Sequence, residues 1–552
     1  MRYSARVSKC QHTLGQWFTP EAVADLALTL ALQGAEGRST SEPARIMDPS
    51  CGDGVFLRRA VARGIAPSSL VGVDIDDSAI EAARREVPEA QLVCGDFFDL
   101  ELSQGVEVIV GNPPYVRQER LSASAKERMV NTLSAAWPTL DRGALASLVG
   151  RGDLAAPFML HALRHLQPGG RAALVISSAF LDSGYGKQFW GLLNQVASLS
   201  LLVEAPQERW FQDAAVHTLI ALFERRQPSE SLCLARLSVP TADAATELAD
   251  GARLEDLADL RYAASDKPAT WARALRAPAA WLDFESQAAD ALTTLGEIAE
   301  IRRGVTTGAN EFFYLSSEQA QALQLPSRFL LPLLRAPGKT GQGCIAVDRE
   351  LGKEQVLAIP PDTELSEYPG LSAYLESFES GSLNSTLANR EPWWSLHLRP
   401  AQVFLSKAYA ERFVQPYCAR PIVADQRVYC VHPKEGIEAA VLAAVLNATS
   451  TALALESLGR ASMGQGALEW TVGDAKNLPV VDPRRIADTG PILQAFASLS
   501  RRSIEKVALE AQQEDRRRLD LALLGRELRP FIEPLHRALV SCVEARQSRA
   551  RA

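Results

Sequence analysis

Four consecutive residues, Asn112-Pro113-Pro114-Tyr115, have the groups needed to act on an amino group attached to an aromatic base. Such an amine is a poor nucleophile because its lone pair is delocalised into the ring. The Asn112 side-chain oxygen and the Pro113 carbonyl can accept its two hydrogens and draw the nitrogen toward tetrahedral geometry. The prolines fix φ and lack N–H donors, and Tyr115 offers a flat face for stacking. The alternative interpretation is an ordinary Asn-Pro turn.

A glycine loop earlier in the chain could bind a nucleotide. It runs Asp48-Pro49-Ser50-Cys51-Gly52-Asp53-Gly54, after a short apolar stretch and before a helical pattern at 55–61. Strand, glycine loop and helix in this order are typical of the first unit of a doubly wound sheet. The two glycines allow a sharp turn and a close approach to a ligand. The dinucleotide pattern G-x-G-x-x-G is not present, so no pyrophosphate is predicted.

Two more predicted strands end in residues suited to the rest of a nucleoside. Residues 70–74 form an apolar run that ends in Asp74, whose carboxylate can accept hydrogen bonds from ribose hydroxyls, with Ile75 beside it. Asp96 and Phe97 follow a third strand and suit the amino group and ring of adenine. A fourth strand, 106–111, leads into Asn112. Predicted strands that alternate with helical segments in this order predict an α/β, doubly wound fold.

With these motifs the chain resembles the gamma class of adenine-specific DNA methyltransferases, the TaqI-like group with an Asn-Pro-Pro-Tyr motif and a C-terminal recognition domain. The resemblance implies a class I S-adenosylmethionine-dependent methyltransferase sheet. It also implies S-adenosylmethionine as cofactor and methyl transfer to the amino group of a flipped-out adenine in duplex DNA. The implied catalytic residues are Asn112, Pro113, Pro114, Tyr115 and Phe211. The implied cofactor-binding residues are Thr19, Asp48, Pro49, Cys51, Gly52, Gly54, Asp74, Ile75, Asp96, Phe97 and Asn112.

Two of these residues, Thr19 and Phe211, are assigned from the first and the last motif in which the chain resembles the family. Residues 16–20, which include Thr19, are similar to the family's opening motif at the methionine end of the cofactor. Phe211 corresponds to an aromatic that sandwiches the flipped base opposite the tyrosine, and Trp210 is its competitor because the register is open by one residue.

The sequence departs from the family pattern at two places. Residues 116–150 are polar and contain several arginines, which predicts either a mobile loop near DNA or a solvated linker. Some relatives carry an aromatic shortly before the position of Phe158, where this chain has Ala155 and Ala156.

The predicted domains are a catalytic domain at 1–226, a connector at 227–290 and an α+β target-recognition domain with C-terminal helices at 291–552. Within 399–427, basic and aromatic residues alternate, which suits phosphate contacts and base stacking or else a solvated β-rich face. The basic cluster at 516–518 is interpreted as part of a packing helix. The residues of the 399–427 pattern are Arg399, Lys407, Arg412, Arg420 and Arg427 with Phe404, Tyr409, Phe413 and Tyr417.

Composition excludes some classes of protein but does not decide the function. Hydrophobic residues make up 47% and charged residues 22% of the 552 residues, as in globular domains. The net charge of −8 argues mildly against nucleic acid, although binding depends on local patches. No membrane span, signal segment or C-x-x-C pair is found, and His161 and His165 lack a third ligand, so no metal is predicted. A bacterial cytoplasmic location, associated with the nucleoid through DNA, is expected.

Three function classes stay open. The first is a site-specific DNA adenine methyltransferase of a restriction–modification system. The second is a methyltransferase acting on a protein glutamine amide, whose nitrogen has the same delocalised lone pair. The third is a catalytically silent DNA-binding specificity subunit. The one Pro-Asp of the second half, Pro361-Asp362, has no E-x-K or Q-x-K after it at usable spacing, so cleavage is expected from a separate restriction endonuclease.

Overall fold

A computed structural model describes ten stretches of the chain, and it divides the chain into two compact units, Met1–Arg276 and Ala277–Ala552. Gln16 and Trp17 of the opening motif and Arg117 of the segment 116–150 fall outside the described residues. The described stretches are 18–33, 44–116, 118–182, 184–211, 217–226, 229–335, 343–348, 354–378, 384–461 and 467–551.

The first unit is built on a nine-stranded sheet formed by its described residues, in the order β3-β2-β1-β4-β5-β7-β6-β8-β9. Neighbours from β3 to β5 are parallel, whereas β7 runs antiparallel between β5 and β6. This confirms the doubly wound α/β prediction. The strands are β1 (Ile46–Asp48), β2 (Leu70–Asp74), β3 (Gln91–Cys94), β4 (Val106–Gly111), β5 (Leu166–Ser177), β6 (Ser198–Glu204), β7 (Thr218–Glu224), β8 (Ser231–Leu237) and β9 (Ala258–Ala264).

Helices cover both faces of this sheet, which is why its central strands are apolar on both sides. One hydrophobic cluster contains side chains of α1, α2, α3 and α9, and the other contains side chains of α4 to α8 and α11. The helices are α1 (Glu21–Leu32), α2 (Val55–Ala62), α3 (Asp77–Glu86), α4 (Ala123–Ala136), α5 (Arg142–Arg151), α6 (Ala155–Arg164), α7 (Ala179–Asp182), α8 (Gly184–Leu193), α9 (Thr241–Ala249), α10 (Leu254–Leu257) and α11 (Trp271–Arg276).

The segment after the Asn112 loop is helical, so both interpretations of 116–150, mobile loop and solvated linker, were wrong. Ser122 caps α4 by accepting the Ala125 N–H at 3.1 Å, and Asp141 caps α5 by accepting the Ala144 N–H at 2.7 Å. Met129, Val130, Leu133, Leu145 and Leu148 are buried in the core. These apolar residues recur at helical spacing between charged residues. The spacing indicates helices, although the overall composition of the segment is polar.

The predicted connector at 227–290 divides between the two units. Its first part adds β8 and β9 to the sheet, β8 parallel to β6 and β9 antiparallel to β8. Trp271 on α11 packs against Trp190 with ring centroids 5.2 Å apart. Residues from 279 onward form a helix whose Trp281 and Phe284 are buried in the core of the second unit. The boundary between compact units therefore falls after Arg276, away from the predicted positions 226 and 290.

The second unit is α+β. Its described strands form a seven-stranded sheet, β11-β18-β15-β17-β13-β14-β12, with a two-stranded and a three-stranded sheet beside it. The strands are β10 (Leu292–Thr294), β11 (Ala299–Arg303), β12 (Tyr314–Ser316), β13 (Leu330–Leu334), β14 (Glu354–Leu357), β15 (Ala401–Ser406), β16 (Ala408–Tyr409), β17 (Tyr417–Ala424), β18 (Val428–Pro433), β19 (Arg460–Ala461), β20 (Leu468–Glu469) and β21 (Pro479–Val481). The helices are α12 (Ala279–Gln287), α13 (Leu295–Ile298), α14 (Asn310–Phe313), α15 (Ser317–Ala322), α16 (Pro369–Glu376), α17 (Ser385–Ala388), α18 (Ala439–Leu446), α19 (Thr449–Leu458), α20 (Val472–Lys476), α21 (Gly490–Leu499), α22 (Val507–Glu510), α23 (Glu514–Leu524) and α24 (Ile532–Arg551).

The aromatic residues of the 399–427 pattern belong to the core of this unit. Phe404, Tyr409 and Phe413 are buried, and Tyr417 packs against Phe496 at 5.8 Å. The suggestion that they stack on bases is therefore wrong for Phe404, Tyr409 and Phe413, because their rings are enclosed in the core. Arg516 is also buried and pairs with Glu510 at 3.1 Å, which agrees with a packing helix.

We predict that Gly304→Ala destabilises the second unit. A Cβ at this position would lie 2.2 Å from the Asp425 carbonyl oxygen and 2.5 Å from that of Ala424. Both atoms are backbone, so relief requires movement of strands, and overpacking of this kind costs about 1–3 kcal/mol or more. Calorimetric unfolding checks this. The control is Gly473→Ala on α20, where the nearest atom is 3.7 Å away; an equal effect of both variants would contradict the account.

Candidate cofactor and catalytic site

The predicted site residues lie at one edge of the first sheet. Asp48 and Asp74 are the last residues of β1 and β2, Asp96 follows β3, and Asn112 follows β4. These four strands are parallel neighbours, so their carboxyl ends meet at the same edge, where ligands of open α/β sheets bind. The structure thus brings together four strand ends that are far apart in sequence.

The glycine loop is held by the end of β2. The Asp74 carboxylate accepts the Gly52 N–H at 2.9 Å, and the Cys51 N–H donates to the Val73 carbonyl at 2.9 Å. Gly52 and Gly54 have φ of 52° and 83°, a region that glycine enters at no steric cost. A Cβ on Gly54 would also lie 3.1 Å from the Cβ of Ala83. The sequence therefore forms a tight loop whose backbone faces the sheet edge.

Asp48 is a buried carboxylate with one oxygen to spare. Its Oδ1 accepts the Ser50 N–H at 3.1 Å, whereas Oδ2 is buried and has no hydrogen-bond partner among the described residues. Burial raises the pKa of Asp48 well above its usual value, and the nearby Asp74 adds to the shift. Gly111 makes room for it, because a Cβ there would lie 2.8 Å from Oδ1. An unpartnered acceptor of this kind suits a cationic or hydrogen-donating ligand group.

Apolar side chains are exposed in two of the predicted site motifs. Ile75, directly after Asp74, is 60% exposed, and Phe18, next to the buried Thr19, is 54% exposed. Asp74 itself is buried, and its Oδ1 accepts the Asp76 N–H at 2.9 Å. Exposed Ile75 is accessible to a bound cofactor, and its predicted cofactor contact stays a prediction. Phe18 was not selected from the sequence, and its signal is an aromatic within the opening motif.

The third strand end presents a carboxylate, with its aromatic neighbour turned into the core. Asp96 Oδ1 accepts the Phe98 N–H at 3.0 Å and caps the short turn Phe97–Asp99. The Phe97 ring is buried against Phe158, with centroids 4.7 Å apart. The ring of Phe97 is therefore a packing group, and any contact with a ligand falls to its backbone.

His161 and His165 belong to the same packing cluster. His161 lies 4.8 Å from the Phe97 ring, and its Nε2 is 3.1 Å from the Phe97 carbonyl oxygen. Burial lowers the pKa of His161 to about 4 and that of His165 to about 3, so both are neutral. Among the described residues no group of three or more potential ligands could hold a metal ion.

The Asn112 loop is anchored on three sides. The Ser50 hydroxyl of the glycine loop donates to the Asn112 carbonyl at 3.1 Å. The Tyr115 hydroxyl donates to the Val175 carbonyl of β5 at 3.1 Å, and burial raises the pKa of this phenol. The Leu154 N–H donates to the Val116 carbonyl at 2.8 Å. Ser50, which the sequence did not single out, joins the two loops.

Comparison with known proteins gives matches along most of the chain. Residues 46–130 match the family model "Methyltransferase domain", residues 89–211 match "Eco57I restriction-modification methylase", and residues 271–515 match "Type II methyltransferase M.Eco57I, C-terminal domain". The type II methyltransferase M.XamI of Xanthomonas campestris pv. amaranthicola is 26% identical over 453 residues, 78% of this chain and 79% of that protein. The type II methyltransferase M.AccI of Acinetobacter calcoaceticus is 23% identical over 424 residues, 73% of each chain.

Over most of its length the chain is similar to type II restriction–modification methyltransferases. Among solved structures, the type IIL restriction–modification enzyme MmeI in complex with DNA has a TM-score of 0.50 at 13% identity. That match covers 91% of this chain and 70% of that one, and it bears on the fold alone.

S-adenosylmethionine is the cofactor of this methyltransferase, whose first unit has the class I fold. The site fits it. The spare oxygen of Asp48 suits the cofactor's ammonium, and exposed Ile75 offers an apolar surface for its adenine. Gly52 leaves open space, since a Cβ there would meet no atom within 4 Å.

The late aromatic motif of the methyltransferase is buried. Trp210 and Phe211 are 9% and 6% exposed and lie in the hydrophobic cluster shared with α1. The Trp210 indole N–H donates to the Thr241 hydroxyl at 2.9 Å, which fixes Trp210 against α9 and leaves Phe211 as the predicted contact for the base. That role stays a prediction.

No single described helix is long and apolar enough to cross a membrane. A bent pair, Ala439–Leu446 with Thr449–Leu458, passes a test of length and composition together. Most of its residues are buried in the second unit.

We predict that Asp74→Ala weakens S-adenosylmethionine binding about tenfold or more, since a hydrogen bond to a charged group contributes about 1.5–3 kcal/mol. The variant removes the predicted ribose acceptor and the anchor of the Gly52 N–H. Isothermal calorimetry checks the affinity, with the exposed Glu89→Ala as control. Unchanged affinity would move the ribose contact to Asp76 or Asp77.

We also predict a pH-dependent effect of Asp153→Asn. Burial raises the pKa of Asp153 to about 6, despite hydrogen bonds from the Tyr185 hydroxyl at 3.2 Å and the Ala155 N–H at 3.0 Å. The native state therefore holds a proton that the unfolded state has lost, so this carboxyl lowers stability as pH rises through 4 to 6. The free energy of unfolding of Asp153→Asn, relative to the native chain, should rise by about 2–3 kcal/mol at most from pH 4 to 7. Denaturant titrations that show a constant difference would contradict it.

Proposed function

We propose that this methyltransferase transfers the methyl group of S-adenosylmethionine to the exocyclic amino group of an adenine in duplex DNA. The observation that carries the proposal is the anchored Asn112 loop, joined through the Ser50 hydroxyl to the glycine loop at the cofactor edge. This junction supports placing an amine held by Asn112 beside the reactive methyl group. The gamma-class motif Asn112-Pro113-Pro114-Tyr115 supports adenine as the methylated base.

The proposed reaction depends on positioning. A paired adenine cannot reach the cofactor, so it is rotated out of the helix at a cost of a few kcal/mol, which stacking and hydrogen bonds offset. Tyr115, whose ring is fixed by its bond to Val175, supplies one stacking face, and Phe211 is proposed for the other. The cofactor supplies an electrophilic methyl group.

Asn112 and Pro113 then direct the amine. The Asn112 side-chain oxygen and the Pro113 carbonyl accept its two hydrogens, which localises the nitrogen lone pair toward the methyl group. The nitrogen becomes acidic once it is methylated, so it loses a proton to water without a dedicated base. Holding the reactants in line supplies most of the acceleration.

Duplex DNA as the substrate is supported by the second unit. Residues 271–515 match the C-terminal domain of a type II methyltransferase, and the MmeI structure to which the chain is similar is described as a DNA complex. Arg399 and Arg427 have side chains 61% and 55% exposed, and Lys407 and Arg420 are also exposed. These cations are suited to phosphate contacts. We propose that methylation protects DNA from a separate restriction endonuclease.

The test is Asn112→Ala. Methylation of plasmid DNA should fall by several orders of magnitude while calorimetric binding of S-adenosylmethionine stays nearly unchanged, because the residue acts on the amine. Asn131→Ala, an exposed position on α4, is the matched control. An Asn112→Ala variant with a tenth of native activity would refute the role of Asn112.

The same experiment separates the alternatives. Modified adenine in plasmid DNA after expression of the native chain supports the proposal. Methyl label found in protein and absent from DNA would indicate a glutamine methyltransferase. Cofactor binding without any methylation would indicate a silent specificity subunit.

A further inference from the structure

Arg128 on α4 forms an ion-pair bridge across the turn that follows β3. Its Nη1 lies 3.0 and 2.8 Å from the two carboxylate oxygens of Asp99, and its Nη2 pairs with Asp96 Oδ2. The two aspartates stand at either end of the turn Phe97–Asp99. A single guanidinium thus clamps both ends of the turn that carries the predicted adenine contact.

The clamp is held from the protein core. The next residues on α4, Met129 and Val130, are buried, and so is Leu133 one turn later. The position of α4 is therefore set by packing, and Arg128 reaches the turn from a fixed base. By contrast, an ion pair between two freely moving surface side chains contributes little.

We propose that Arg128 is a positioning residue for the cofactor, which orients Asp96 to accept the amino group of the cofactor's adenine. Asp96 Oδ1 is tied to the Phe98 N–H and Oδ2 to Arg128, so the plane of the carboxylate is fixed. A carboxylate has about four lone-pair positions, so acceptor capacity remains for the adenine. The Asp96 side chain is 28% exposed, which leaves it accessible.

The charge of the clamp also matters. Asp96 and Asp99 lie three residues apart on one turn, and their like charges repel each other. Arg128 lies between them and offsets this repulsion, so the turn keeps a geometry in which Asp96 can face a ligand. Lysine would keep the charge, but as a point charge it cannot span two carboxylates with a planar fork.

The proposal rests on the predicted contact between Asp96 and the cofactor and is independent of which substrate is methylated. It is therefore tested by binding alone, without DNA. The probes are S-adenosylmethionine and an analogue whose purine lacks the 6-amino group. Arg128→Gln should bind S-adenosylmethionine about tenfold more weakly and should bind the analogue as the native chain does. The affinity of Arg128→Lys for S-adenosylmethionine should lie between that of Arg128→Gln and that of the native chain.

Two further variants complete the test. Arg142→Gln on α5, where the arginine bonds to Asn131 and Ser134, is the control and should leave both affinities unchanged. Asp96→Ala combined with Arg128→Gln should bind no more weakly than Asp96→Ala alone, because Arg128 acts through Asp96. Equal loss for both cofactors, unchanged affinity, or tighter binding by Arg128→Gln would overturn the proposal. Unchanged affinity in Asp96→Ala would refute the Asp96 contact itself and leave the proposed methylation of adenine untouched.

Discussion

The site depends on the hydrogen bond from the Gly52 N–H to the Asp74 carboxylate. It fixes the turn after β1 against the end of β2, and parallel pairing then places the ends of β3 and β4 beside them. The Ser50 hydroxyl extends the connection to the Asn112 loop. The Asp74 side chain therefore anchors the glycine loop and is also the predicted contact for the ribose of the cofactor.

The parts of the site that could be predicted from sequence are those in which local pattern and chemistry coincide. Asp48, Gly52, Asp74 and Asn112 stand at the ends of short apolar runs, and parallel strands bring such ends together without further information. Phe97 shows the limit of this reasoning. Its position at a strand end was correct, but its ring turned inward because Phe158 and His161 form a buried cluster on that face.

Tertiary packing also determined structural features that the composition of the sequence did not reveal. The arginines of 116–150 concealed the helical spacing of Met129, Leu133 and Leu148, and no local pattern indicated that Arg128 would reach back to Asp96. In the second unit, the alternating aromatic and basic residues of 399–427 were compatible with a DNA-binding face as well as with a solvated one. Burial in the structure assigns Phe404 and Tyr409 to the core. Such pairs are distant in sequence, and only the packed fold determines them.

The extension of the first sheet beyond β6 has a practical consequence for dissecting the enzyme. A catalytic fragment ending near residue 226 would remove β8 and leave the hydrogen-bonding edge of β6 open along Leu201–Glu204. Open edges of this kind recruit other strands and promote aggregation. A fragment ending at Arg276 keeps β8, β9 and the Trp271–Trp190 contact. The shorter fragment should therefore fail through self-association, and that failure would say nothing about its chemistry.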